Sequence, residues 1–422
     1  MQPADLVIRN AREILTCAGP APLTGARQKN ISSVRDGALA SFKGRLTFVG
    51  STRELDRTVS PVPGATILDA TEYAVVPGFV DAHTHAVFAG DRREELRRRL
   101  GGATYAEIAA GGGGIVATVA ATRVATEDEL VAQSRPRLDE MLACGTTTCE
   151  VKSGYGLSVD AELRMLRATA RLQQEHSIDI VATFMGAHEV PTEYRDRRET
   201  YVRLVIDEMI PAVAAERLAV WCDVFCESGV FTAPESVRIL DAGIRNGLKS
   251  RIHADELGPS GGSQVAAQVG ARSADHLIFV PDDGIRGMAA SGVVATLLPN
   301  AAFYLKLGRF APARAFIEAS VPVALATDVN PGGGFSPSIP FAMALACFAM
   351  HMTFEESLVA ATINGAWSLD VAETVGSLEP GKASDAVLVR GDAINLIRMG
   401  APSVAAVIKG GRIVSGRENL PG

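Results

Sequence analysis

Apolar positions change their period twice along the chain. Over residues 1 to 75 they fall in short alternating runs. Asp5–Asn10 reads DLVIRN, Gly37–Phe42 reads GALASF, and Leu46–Gly50 follows the turn at Gly44-Arg45. A period of two marks strands with one buried face. Residues 383 to 416 return to this pattern, with Ala386–Arg390, then Val404–Lys409 and Arg412–Val414 around the turn Gly410-Gly411. Between these ends, apolar runs alternate with amphipathic stretches. The runs predict strands at Val75–Val80, Thr147–Lys152, Ile180–Met185, Trp221–Phe225, Lys249–His253, Ser273–Leu277, Val293–Leu297 and Val323–Ala326. Helical periodicity lies between several of them, as in Ala161–Glu175 and Tyr201–Glu216. Eight strands alternating with helices predict a parallel sheet closed into a barrel. The expected fold is therefore α/β: a (β/α)8 TIM-like barrel over residues 76–376. A small β-sandwich domain is expected from both termini, residues 1–75 plus 377–422.

Composition narrows the class. The 422 residues are 47% hydrophobic and 21% charged, enough for a sizeable core. A net charge of −7 argues against nucleic acid as a partner. Cys222 and Cys226 are four apart, but no second such pair accompanies them, which argues against a zinc ribbon. Isolated thiols suit a reducing compartment. The N-terminus shows no basic region followed by an apolar run, and no apolar stretch approaches the ~18 residues of a membrane span. A soluble, cytoplasmic protein with no membrane partner is expected, and a homodimer is the base-rate expectation.

The candidate chemistry falls at strand ends, where barrels place their active sites. His83 and His85 follow the first apolar run in PGFVDAHTH. Side chains two apart share one face of an extended chain, so both can bind one ion. H-x-H alone is a weak signal, since two histidines two apart also arise by chance. His253 ends a strand and can supply a third neutral nitrogen. Glu256, three residues on, can reach the same place as a proton carrier, or with Asp255 can simply favour a helix N-terminus. Asp328 follows another strand. It either completes a His3Asp site with one position left for water, or makes an Asx-turn into Gly332-Gly333-Gly334. Gly111–Gly114 lacks the Lys-Ser/Thr of a phosphate-binding loop.

These segments resemble the amidohydrolase superfamily and, within it, the imidazolonepropionase family. The similarity is carried by PGFVDAHTHAVFAGDRR (77 to 93), GGATYAEIAAGGGGI (101 to 115), EVKSGYGL (150 to 157), FMGAHEVP (184 to 191), DVFCESGVF (223 to 231), IHADEL (252 to 257), SADHL (273 to 277) and ATDVNPGG (326 to 333). The resemblance implies a barrel of the metal-dependent hydrolase type with metal ligands at His83, His85, His253 and Asp328. They would hold one divalent metal ion per chain, Zn2+ or Fe2+/Fe3+. It implies substrate contacts from Arg92, Tyr105, Tyr155, His188, Glu256, Asn330 and the backbone at Gly332 and Gly333, and chemistry from Glu256, His276 and Asp328. Gly333 stands where many relatives carry a hydroxyl residue. Lys152 is read as structural, because the ligand set already closes a one-metal site.

The implied reaction is hydrolysis of the cyclic amide of a small-molecule substrate, 4-imidazolone-5-propanoate. It fits the residue chemistry: Asp328 as acceptor of a water proton, Glu256 as donor to the leaving nitrogen, His276 as hydrogen-bond donor to an oxyanion. Arg92 offers a planar fork for the propionate carboxylate. A nucleobase deaminase would use the same metal framework, but a neutral base needs no carboxylate clamp. A silent scaffold on this fold would be expected to have lost ligands.

Overall fold

The computed structural model describes residues 1–103, 107 and 113–420. Two eight-stranded sheets organise it. The first is mixed and built from both ends of the chain. Its strands are β1 (Gln2–Leu15), β2 (Ser33–Phe42), β3 (Arg45–Ser51), β4 (Val59–Asp69) and β5 (Tyr73–Pro77), joined later by β14, β15 and β16. β1 is its long spine, antiparallel to β2 and parallel to β4 and β5. The returning chain enters as β14 (Ala386–Arg390), antiparallel to β5, and continues as the hairpin β15 (Val404–Lys409) and β16 (Arg412–Ser415). Alternating residues bury Leu6, Ile8, Leu39, Val75 and Leu388 in one cluster and Ala4, Val7, Ala38 and Ala40 in another.

The second sheet is the barrel: β6 (Phe79–Asp81), β7 (Thr146–Lys152), β8 (Asp179–Ala187), β9 (Trp221–Cys226), β10 (Lys249–Ala254), β11 (Ser273–His276), β12 (Val294–Leu297) and β13 (Val323–Leu325). All neighbours are parallel and the order follows the sequence. The seam between β13 and β6 is joined beyond the strand ends. The Asp328 N–H donates to His83 O at 3.1 Å and the His85 N–H to Val329 O at 2.7 Å. The Thr327 N–H adds a bond to Asp81 Oδ1 at 3.0 Å. The closing hydrogen bonds thus run through the segments that carry the candidate ligands.

Two expectations change. The apolar run Val75–Val80, read as one strand, is divided. Tyr73–Pro77 belongs to the terminal sheet, and Phe79–Asp81 to the barrel. Gly78 between them lies so close to Thr147 that a Cβ would sit 2.3 Å from its hydroxyl, so only glycine lets the chain cross there. The helix expected over Tyr201–Glu216 starts at Arg198 and contains a wider turn at Val205–Met209 before resuming at Ile210–Glu216. Pro211 explains it. A proline inside a helix has no N–H and crowds the carbonyl four residues back, and widening one turn relieves both.

Barrel strands send alternate side chains inward and outward. The outward Cys149 and Val151 of β7 join the apolar layer under the helices. The inward positions are charged. Glu150, Lys152, Asp223, Arg251 and Asp275 are all fully buried. Among the described residues no helix is long and apolar enough to cross a membrane.

Candidate active site

Five buried charged residues form the layer beneath the site. Lys152 Nζ lies 2.7 Å from Asp223 Oδ2, 2.8 Å from Glu150 Oε2 and 3.5 Å from Asp275 Oδ2. Arg251 reaches Glu150 Oε1 at 3.1 Å and Asp275 Oδ2 at 3.4 Å, and donates to Ala82 O at 2.9 Å and Ser368 O at 2.7 Å. Burial opposes the charge on Lys152, but the carboxylates outweigh it and hold its pKa above the ordinary lysine value. Its ammonium is fully engaged, in keeping with a structural role for Lys152.

Two of these carboxylates orient candidate ligands. Asp275 Oδ2 lies 2.6 Å from His83 Nδ1, and Asp223 Oδ2 lies 3.1 Å from His253 Nδ1. Each Nδ1 donates its proton to the carboxylate, which leaves the Nε2 lone pair exposed on the other side of the ring, the arrangement common behind metal-ligating histidines. His83 Nε2 has no hydrogen-bond partner among the described residues. His253 Nε2 faces His85 Nε2 at 3.3 Å. Ligand atoms of His83, His85 and His253 all lie within 4.8 Å of one another. Asp328 Oδ1 stands 3.6 Å from His83 Nε2 and 3.9 Å from His85 Nε2. Burial first, then neighbouring cations and imidazoles, holds the three histidine pKa values well below 6.5. Neutral imidazoles with converging lone pairs, beside a carboxylate, are the donor set for a divalent cation.

Above this floor opens a cavity of about 660 Å3. His276 and Glu256 line it, with His276 Nδ1 3.5 Å from Glu256 Oε1. Burial, reinforced by Asp328 and Glu227, pushes the Glu256 carboxyl well above the usual range, so the neutral acid is favoured. Burial raises Asp328 to about 7, against hydrogen bonding from Asn330 and the pull of Lys152. Backbone strain collects here. His276 (φ 74°), Asp328 (φ 55°) and Asp255 (φ 51°) lie at or just beyond barrel strand ends in the left-handed region, at a cost of about 1–3 kcal/mol each.

The cavity walls hold most of the other predicted residues. The His188 ring stacks on His85, centroids 4.8 Å apart, and donates from Nδ1 to Gly154 O at 3.0 Å. Tyr155 is buried beside both rings. Arg92 lines the cavity with its guanidinium flat against Gly332, where a Cβ would lie 2.5 Å from Nη1. One edge of that guanidinium is already engaged, with Nε and Nη2 each 2.8 Å from Glu95 Oε2. Asn330 lines the cavity too, but its side chain braces the loop. Its Oδ1 accepts from the Gly332 and Gly333 N–H groups at 2.8 and 2.6 Å, and its Nδ2 donates to Asp328 O at 2.8 Å. The Asx-turn weighed from the sequence thus exists, formed by Asn330 beside Asp328. Tyr105 and residues 111–112 lie outside the described residues.

The site also depends on residues with no assigned role in the sequence. Asp223 and Asp275 lie inside DVFCESGVF and SADHL. Arg99 lines the cavity and donates to Gly332 O at 3.0 Å and Tyr304 O at 3.1 Å. Glu227 accepts from the Leu257 N–H at 2.8 Å and so braces the segment carrying Glu256. One signal was available: charged residues two apart within apolar strands, as in Glu150 and Lys152, or Arg251 beside His253.

Residues 74–414 match the amidohydrolase family. The chain is 48% identical to the imidazolonepropionase of Symbiobacterium thermophilum, over 98% of each chain. It is 47% identical to that of Geobacillus kaustophilus, over 97% of each. Solved structures share the fold. An adenosine deaminase from Xanthomonas campestris with bound zinc superposes with TM-score 0.73 at 18% identity, covering 100% of this chain and 95% of that one. A zinc complex of atrazine chlorohydrolase from Arthrobacter aurescens gives 0.70 at 16%, covering 98% and 96%.

Proposed function

From the chain's membership of the imidazolonepropionase family of amidohydrolases, we propose that it hydrolyses the cyclic amide C–N bond of 4-imidazolone-5-propanoate. The product is N-formimidoyl-L-glutamate, and the reaction belongs to histidine degradation. The observation that carries this reading is one cavity that joins two features. Its floor carries His85, His253 and Asp328, with His83 completing the imidazole group behind them, and its wall carries the Arg92 guanidinium.

His83, His85, His253 and Asp328 would hold one divalent ion, zinc or iron. The partnerless His83 Nε2 and the facing nitrogens of His85 and His253 fit a cation better than they fit each other. When bound, the ion supplies Lewis acidity, making water acidic near neutral pH and polarising the amide carbonyl.

The chain's own groups do the rest. Asp328 accepts the proton of the attacking water. His276 donates a hydrogen bond to the oxygen on which negative charge develops. Glu256, kept neutral by burial, hands its proton to the departing ring nitrogen. Arg92 holds the propionate carboxylate through its Nη1/Nη2 edge, because Glu95 takes the other. Tyr155 and His188 pack against the ring. Backbone at Gly332 and Gly333 borders the tail. Gly333 offers no hydroxyl there, so Arg92 carries more of the tail's recognition.

The direct test follows the ultraviolet absorbance of imidazolone propionate with purified protein, beside a panel of nucleobases. Loss of absorbance with the first and silence with the panel are expected. Turnover of a nucleobase with no effect on the imidazolone would overturn the reading.

A further inference from the structure

The turn that carries Tyr155, Ser153–Leu157, joins the end of β7 to the helix Val159–Glu175. Its backbone is gripped from two sides. Glu162, in the first turn of that helix, is completely buried. Its Oε2 accepts from the Gly154 N–H at 3.0 Å, and its Oε1 from the Gly156 and Leu157 N–H groups, both at 2.8 Å. Arg123 takes the carbonyls. Its Nε donates to Gly156 O at 2.7 Å and its Nη2 to Leu157 O at 2.9 Å, while its Nη1 pairs with Glu193 Oε1 at 2.7 Å. A third carbonyl, Gly154 O, is the acceptor for His188 Nδ1.

One short turn therefore sets two rings. The path of the backbone fixes where Tyr155 sits. The position of Gly154 O decides which His188 nitrogen carries the proton, and so leaves Nε2 as its acceptor. A carboxylate without solvent, accepting three N–H groups, is a costly way to hold a loop that a neutral side chain could cap. What it adds is a turn with little freedom to shift.

We infer that Glu162, with Arg123, is a positioning residue for substrate, holding Tyr155 and His188 as one preset unit on the cavity wall. This rests on the reading of those two rings as substrate contacts. Glu162 does not line the cavity, so it acts on substrate through the turn.

Glu162→Gln replaces one acceptor oxygen by an amide NH2 that cannot accept the turn's N–H groups. The expected result is a KM raised by about 10-fold, the scale of one charge-assisted hydrogen bond, with kcat little changed and metal content unaltered. Arg123→Met, which attacks the same turn from a partly exposed side, should move KM in the same direction and serves if Glu162→Gln does not fold. A cycle with Tyr155→Ala makes the test specific. If Glu162 acts through the turn, the double variant binds much closer to Tyr155→Ala alone than to the product of the two separate effects. Effects that multiply fully, or a Glu162→Gln enzyme with normal KM, would overturn the inference. A silent Tyr155→Ala would instead remove Tyr155 from the substrate contacts, a failure of the functional reading that the single variant at Glu162 cannot mimic.

Discussion

At the cavity floor, the orientation of the candidate ligands is set by charge. Asp275 and Asp223 aim His83 and His253, and Lys152 and Arg251 hold those carboxylates, with all four charged residues on barrel strands and out of solvent. At the wall, loops are held by side chains that cap backbone. Glu162 grips the turn of Tyr155, Asn330 the loop of Gly332, and Glu227 the segment after Glu256. The floor is one connected network in which each charge depends on the next. The wall is a set of separate loops, each with its own brace. Such a division lets a barrel keep its metal chemistry while loop changes alter the substrate. The adenosine deaminase and atrazine chlorohydrolase structures share this fold at identities below 20%.

The contrast can be broken by experiment. Lys152→Met should cause the largest loss. It takes the close cation from Asp223 and leaves Glu150 with Arg251 alone, and breaking a buried ion group costs about 3–5 kcal/mol. Urea unfolding of metal-depleted protein measures this directly. Stability equal to the parent would show that the floor is not one network.

Glu256→Gln sits where floor and wall meet. It should keep the fold and the metal while turnover falls by about 10² or more, the scale of general acid–base groups. Steady-state kinetics beside elemental analysis tests it, and near-normal turnover would remove Glu256 from the chemistry.

Arg92→Ala probes the wall alone. kcat/KM should fall by roughly 10- to 200-fold with metal content intact, because one charged hydrogen-bonding group is lost. Arg92→Lys should recover only part, since an ammonium lacks the planar fork. A substrate analogue without the carboxylate should be turned over equally poorly by parent and Arg92→Ala. Equal turnover of acid and analogue by the parent would reject the clamp.

Asp275→Asn is the mildest cut. It preserves size and removes the charge behind His83, and outer carboxylates of this kind are worth about 10–100-fold in metal affinity. Competition with a chelator reads it. Unchanged affinity would mean that His83 is oriented by packing and not by Asp275.

The amino-acid sequence determined where most barrel strands lie. Apolar runs between amphipathic stretches are local patterns, so β7 to β13 appear close to where those runs predict them, whereas β4 of the terminal sheet carries no such mark. That His83, His85, His253 and Asp328 are candidates for one site was legible, because H-x-H and the strand-end positions are short-range patterns, and the fold brings the four side chains together. Tertiary structure alone decided the partnerships. Lys152 meets Asp223 from 71 residues away, and His83 meets Asp275 from 192. A charge within an apolar strand marks burial, but nothing local says which imidazole a buried carboxylate aims. The division of Val75–Val80 at Gly78 was hidden for the same reason, since the contact that forbids a side chain there comes from Thr147 on the next barrel strand. Glu162 reads as an ordinary acidic residue in a first helical turn. Only the folded chain brings three backbone N–H groups to it, because the conformation of the turn before the helix points those donors at one carboxylate.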